Sequence, residues 1–281
     1  MQVEFIIPAG LKQALGQTKL LYENKASLSS DPILFPSEYS DPKDIEVVAF
    51  FSALFAYGNV RSINGFLSNF FMKMRDSPFL HFRDRTMPWK KTWKEGHYYR
   101  FQSKEDIKKI MEVVSEYCLE SREKPIWEHF FKSSSTIDPK PLQEDFLQKI
   151  NKPSSGIIFW IGKPGSPSPQ KRIHLFLRWM VRRGFPDFGI YKSLSPKDLL
   201  FPLDVHIQRL ISILGITKKK TFGKREALNV REAFQQLNQE DPLIYDFFLS
   251  RIGILHKCRG KKMSLCDSCV LKNNCAIWNG W

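Results

Sequence analysis

Apolar positions recur along this chain at steps of three and four residues, and few segments alternate with period two. Helices are therefore predicted and a large sheet is not. Residues 9–25 place Leu11, Leu15 and Leu20 or Leu21 at roughly helical spacing, after which SSDPILFPSEYSDPKD interrupts the pattern with Pro, Ser and Asp. Residues 44–57 are apolar nearly all round, which predicts a central buried helix with Gly58-Asn59 as its stop. Amphipathic helices are expected over 61–74 and 104–122. The second carries Ile107, Ile110, Met111, Val114 and Tyr117 at helical intervals, and Cys118 on it reads as core packing. Residues 133–170 alternate loop signals with short apolar runs and end in GKPGSPSPQ.

The second half is more structured in pattern. In KRIHLFLRWMVRR (171–183), Ile173, Phe176, Leu177 and Met180 share one helical face, and Lys171, Arg178 and Arg182 fall together opposite it. Such a basic stripe, with neighbouring Arg172, suits phosphate contact or a solvated surface equally. GFPDFGIYKSLSPKDLLFP reads as a broken linker. LDVHIQRLISILG then starts a helix with Asp204 at the N-cap, an apolar face of Ile207, Leu210, Ile211 and Leu214, and Gly215 as its stop. A cationic loop follows, with five Lys and Arg between 218 and 225, then a helix over NVREAFQQL.

Composition narrows the class. Apolar residues make up 42% and aromatics 14%, enough to build a core, so overall disorder is excluded. No apolar run reaches the ~18 residues of a membrane span, and the N-terminal segment lacks the features of a secretory signal. A cytoplasmic chain is expected. Forty-three Lys and Arg against 29 Asp and Glu give a net charge of +14, a field that attracts polyanions. The stretch 76–100 interleaves Trp and Tyr with Arg and Lys. That pattern fits base stacking, or an irregular connection anchored by its rings.

Four of the five cysteines, Cys258, Cys266, Cys269 and Cys275, form C-x7-C-x2-C-x5-C. Four thiolates close the coordination of a [4Fe–4S] cluster or a zinc ion. One close pair flanked by single cysteines favours the cluster over zinc. Lys257, Arg259, Lys261, Lys262 and Lys272 surround the motif and offset its negative charge.

These features resemble the helix-hairpin-helix (HhH-GPD) DNA glycosylase superfamily of the endonuclease III type. That family carries a C-terminal cysteine loop with one residue fewer in its first gap, preceded at a matching interval by an acidic segment that here reads LDVHIQR. DPILFP, FLRWMVRR, FPLDVH and IYDFFLSRIG resemble most closely a bacterial branch whose domain has no assigned function. The resemblance implies an all-α fold of two helical lobes: residues 31–194 as an inserted lobe, and 1–30 plus 195–281 as a lobe bearing the iron–sulfur loop. It implies a monomer that binds double-stranded DNA in the cleft.

By the same resemblance Asp204 is the carboxylate that stabilises a developing sugar cation during N-glycosidic cleavage. Lys171 is the only candidate amine for a Schiff base. Tyr57, Asn59 and Arg61 follow the buried helix and face the minor groove, while Arg172, Arg178, Arg182, Lys261 and Lys262 meet phosphates. The family's phosphate-binding hairpin is altered, because Pro167 and Pro169 stand at its glycine positions and proline has no N–H. The expected function is base-excision repair. A non-catalytic DNA-structure-binding protein is the alternative, and an iron–sulfur redox protein without DNA a third reading.

Overall fold

The computed structural model describes residues 7–74, 76–86, 99–121 and 125–280. Most of them are helical. The N-terminal helix α1 (Leu11–Tyr22) is followed by short 3-10 turns over Lys25–Ser30, Pro32–Leu34 and Pro36–Glu38. α2 (Pro42–Leu54) starts where Asp41 accepts hydrogen bonds from the Lys43 and Asp44 amides ahead of Pro42. Every residue from Asp44 to Leu54 is buried, as the all-round apolar pattern predicts. The helix ends before Gly58-Asn59, and Asn59 instead caps the next helix, α3 (Val60–Met72), by accepting from the Arg61 amide.

α4 (Pro78–Arg83) packs on α5 (Lys104–Glu120), which opens with a reciprocal Ser103–Asp106 capping box and buries Cys118 completely. Residues 133–170 contain two helices that periodicity alone did not resolve: α6 (Lys140–Ile150) and α7 (Ser155–Ile161). Their apolar runs are too short to display a full turn pattern. Of the aromatic and basic stretch noted over 76–100, residues 87–98 lie outside the described set.

α8 (Lys171–Val181) crosses α2 at the centre of the molecule. The linker after it holds a minimal antiparallel pair, β1 (Arg183–Gly184) with β2 (Asp187–Phe188). α9 (Val205–Ile213) and α11 (Asp246–Ile254) pack together, and α1 also lies on α11. Between them, α10 (Lys224–Gln235) begins inside the predicted cationic loop, so that loop is shorter than the sequence suggests. The cysteine segment ends in the short helix α12 (Ala276–Asn279). Buried apolar side chains from α1 to α11 form one continuous cluster, with Trp127, Trp160, Trp179, Phe50 and Phe176 among its largest members. Among the described residues no helix is long and apolar enough to cross a membrane.

A carboxyl group sits in that core. Glu46 on α2 is fully buried and accepts hydrogen bonds from the Ile126 and Trp127 amides at 2.5 and 2.9 Å and from the Tyr191 hydroxyl at 2.7 Å. It ties two loops to the central helix, and these three donors offset part of the cost of burying a carboxylate.

Candidate functional site around Lys171 and Asp204

Asp204 adopts the extended backbone of an N-cap, and its Oδ1 accepts from the His206 and Ile207 amides, both at 2.8 Å. That fixes the side chain and leaves Oδ2 facing Lys171, whose Nζ lies 3.9 Å away. Lys171 is the first residue of α8, and its Nζ also donates to the Ala56 carbonyl at 3.1 Å, beyond the end of α2. Three elements thus place an ammonium and a carboxylate together at partial exposure. Both side chains line a cavity of about 300 Å³, along with Tyr57, Gly58 and Pro202. That volume lies at the lower end of the range for small-molecule sites.

Asp31, Arg178, Asp246 and Arg251 line the cavity and belong to a charge network that extends beyond it. Arg178 pairs with Asp187 at 3.1 Å and with Asp246, and Arg182 pairs with Asp187 and, at 2.9 Å, with Asp241. Arg251 pairs with Asp31 at 2.6 Å and donates to the Ser27 carbonyl and Ser30 hydroxyl. Burial pushes the Asp246 carboxyl up to about 6 against the opposing pull of Arg178. This corrects the sequence reading of a basic stripe. Arg178 and Arg182 are each 2% exposed, so they hold the fold together and present nothing to phosphates. The helical wheel placed them opposite the apolar face, but α8 is buried on nearly all sides, and the acids that neutralise them are distant in sequence. Asp31, Asp246 and Arg251 drew no functional reading from the sequence, since single charges in apolar runs carry no spacing signal.

The loop over 162–170 that carries Pro167 and Pro169 joins α7 to α8. Its amides are largely engaged internally: Ser168 N–H donates to the Ser166 hydroxyl, and Gln170 N–H to the Ser168 hydroxyl. The Pro167 carbonyl accepts from the Lys224 amide at 2.8 Å, docking the loop on the start of α10. Arg172 projects from this region and lies over the Phe159 and Tyr57 rings. Tyr57 is half-buried, while Asn59 and Arg61 are exposed in the turn that starts α3. His206, beside Asp204, packs against Gly253, where a Cβ would come within 2.5 Å of its Nδ1. Burial lowers its pKa despite the neighbouring carboxylate.

The cysteine segment is anchored to the same helices. Arg209 on α9 donates to the Cys258 carbonyl at 2.7 Å, and the Asn274 side chain donates to the Ala9 carbonyl. All four thiols are free and partly exposed. Burial pushes the Cys269 thiol up, a Leu271 amide contact opposes this, and Cys258, Cys275 and Cys266 add to the rise by their charge. Thiols are the donor type that a zinc ion or a [4Fe–4S] cluster takes. Among the described residues, however, no three His, Cys, Asp or Glu side chains converge as ligands. Lys261 and Lys262 are exposed on this segment, and Lys262 and Lys272 both lie over the Trp278 ring.

A model of the family described as "Protein of unknown function (DUF2400)" matches residues 31–255, which takes in the Lys171–Asp204 cavity and stops short of the cysteines. No curated protein and no solved structure matches the chain. A match over most of its length shows that the chain belongs to the DUF2400 family.

Proposed function

We propose that this protein is a DNA-binding protein of the helix-hairpin-helix glycosylase type, cleaving the N-glycosidic bond of a damaged or mismatched base extruded into the cavity. The observation that carries the reading is the 3.9 Å approach of Lys171 Nζ to Asp204 Oδ2, both lining one cavity in a strongly basic chain.

In this reading Asp204, held at a helix N-terminus by two amides, supplies a fixed anion next to C1′ as positive charge develops on the sugar. Lys171 contributes charge and a hydrogen-bond donor. Attack by its amine on C1′, which forms a Schiff base after base loss, requires that it first pass its proton to an acceptor, and Asp204 Oδ2 is the nearest carboxylate oxygen described. Exposed cations at Lys218, Lys219 and Lys220, beside the N-terminal half of α9, extend the positive face along the expected DNA path. Cys258, Cys266, Cys269 and Cys275 would hold a [4Fe–4S] cluster, or zinc, as a structural clamp on the basic C-terminal loop.

A second reading is favoured by one observation. The hairpin's serine hydroxyls already occupy amides that would otherwise meet a phosphate, which suits a protein that binds DNA structure without chemistry. Oligonucleotides carrying a panel of damaged bases separate the two. Release of free base from at least one lesion supports the enzyme, and binding without release from any lesion supports the binder. A covalent adduct trapped by borohydride, lost in Lys171→Ala, would add lyase activity.

A further inference from the structure

Most rings among the described residues are hidden: Phe50, Phe51, Phe70 and Phe82 are all at or below 1% exposure. Phe101 at 65% and Phe159 at 39% are exceptions, and they lie side by side. The Phe101 ring is parallel to Tyr57 within 7°, with centroids 6.2 Å apart, and Phe159 meets both edge-on at 5.5 and 5.1 Å. Two guanidinium groups border these rings. Arg100 sits 5.6 Å from both the Tyr57 and Phe101 centroids, and Arg172 sits 4.0 Å from Phe159 and 5.5 Å from Tyr57.

The arrangement is held in place. The Tyr57 hydroxyl donates to Gln102, whose amide donates to the Gly156 carbonyl at 3.1 Å, and the Tyr99 hydroxyl donates to the Tyr57 carbonyl at 2.9 Å. Gly58 has φ +112°, and a Cβ there would fall 2.2 Å from Arg100 Nη1, so glycine is needed for the guanidinium to lie where it does. Tyr57 and Gly58 also line the Lys171–Asp204 cavity, so this ring surface adjoins the candidate site.

We propose that the Tyr57–Phe101–Phe159 face, bordered by Arg100 and Arg172, is a stacking site for an unpaired nucleotide of a DNA strand. Exposed rings favour a flat partner, and cations beside them favour an anionic one. Among the described residues neither arginine forms an ion pair with a carboxylate, so a phosphate meets no competing acid, whereas an apolar peptide would cover unpaired charge. Paired DNA hides its base faces within the stack, and only gaps, ends and displaced bases present one. The site thus selects DNA with an unpaired base next to the position of the cavity. It rests on the DNA-binding reading and not on glycosidic cleavage.

The test uses the whole protein with a fully paired duplex and with the same duplex bearing a short single-stranded gap that contains 2-aminopurine. Wild type should quench the 2-aminopurine on binding and prefer gapped DNA by ~10-fold or more, the scale of one base–ring stack. Phe101→Ala/Phe159→Ala should lose both effects while keeping duplex affinity and the thermal midpoint, and Phe101→Trp should retain them. Absence of quenching in wild type, or equal quenching in the double alanine variant, would overturn the proposal. Efficient competition by deoxyadenosine monophosphate alone would reassign the site to free nucleotides and overturn it likewise. Quenching without base release from any lesion would contradict only the enzyme reading, and base release without quenching would contradict only the stacking site.

Discussion

The carboxylate of Asp204 divides its two oxygens between tasks: Oδ1 caps α9 through the His206 and Ile207 amides, and Oδ2 meets Lys171 Nζ at 3.9 Å. The division makes the pair separable by mutation. Asparagine caps helices about as well as aspartate, so Asp204→Asn removes the charge and keeps the cap. Its unfolding free energy should stay within about 1 kcal/mol of wild type, since a partly exposed pair contributes little. Asp204→Ala should lose about 1 kcal/mol more through the cap. Urea unfolding of the two variants checks this, and equal midpoints for both would show that Asp204 does not hold the helix start.

Arg178 and Arg182 should behave as structural residues. Replacing Arg178 with Ala leaves Asp246 and Asp187 short of a partner inside the fold, a loss of roughly 3–5 kcal/mol. A large drop in the unfolding midpoint is expected for either arginine. If Arg182→Ala kept the wild-type midpoint and weakened only DNA binding, the surface-stripe reading would be restored.

Glu46 sets a pH dependence whose sign follows from its burial. Its pKa is raised from 4.5 to about 7, so the folded state holds this proton more tightly than the unfolded chain does. The contribution to stability is full below about pH 4.5, declines as pH rises through 7 and is gone above it, a span of about 2–3 kcal/mol between pH 5 and 8. Asp246 acts in the same sense. His174, lowered to about 4 by burial, acts in the opposite sense by losing stability as pH falls. The quantity to read is therefore the difference between wild type and Glu46→Gln, which should change by that amount between the two pH values. A constant difference would mean that Glu46 is ionised throughout.

The cysteine loop gives a prediction of composition. Protein purified without oxygen should show the broad visible absorbance of an iron–sulfur cluster and about four irons per chain. Cys269→Ser should lose the colour, because a [4Fe–4S] cluster takes one thiolate at each of its four irons. One zinc per chain and no colour would replace the cluster with the tetrahedral site.

The central helices and the Asp204 cap were legible in the sequence because their signals are local: an all-round apolar run in α2, apolar periodicity in α8, and an acid just before an apolar run at α9. Lys171 and Asp204 were each singled out only by the family resemblance, and their contact was not legible, since nothing near either residue in the chain specifies it. The burial of Arg178 was not legible. A charge opposite an apolar face looks solvated until Asp187 and Asp246 arrive from elsewhere in the fold. Phe159 was missed for the converse reason, because a phenylalanine between Ile158 and Trp160 reads as core and only the fold shows it exposed, whereas Phe101 adjoins the aromatic and basic stretch already read as base stacking or a connection.

Chromatographic measurement of free base released from a lesion-bearing duplex, under single-turnover conditions, tests the account most directly. Wild type should release base and Asp204→Asn, folded to the same midpoint, should release it at least ~100-fold more slowly, the scale of one preorganised charge facing a developing ion. Equal rates for the two proteins would contradict the role given to Asp204.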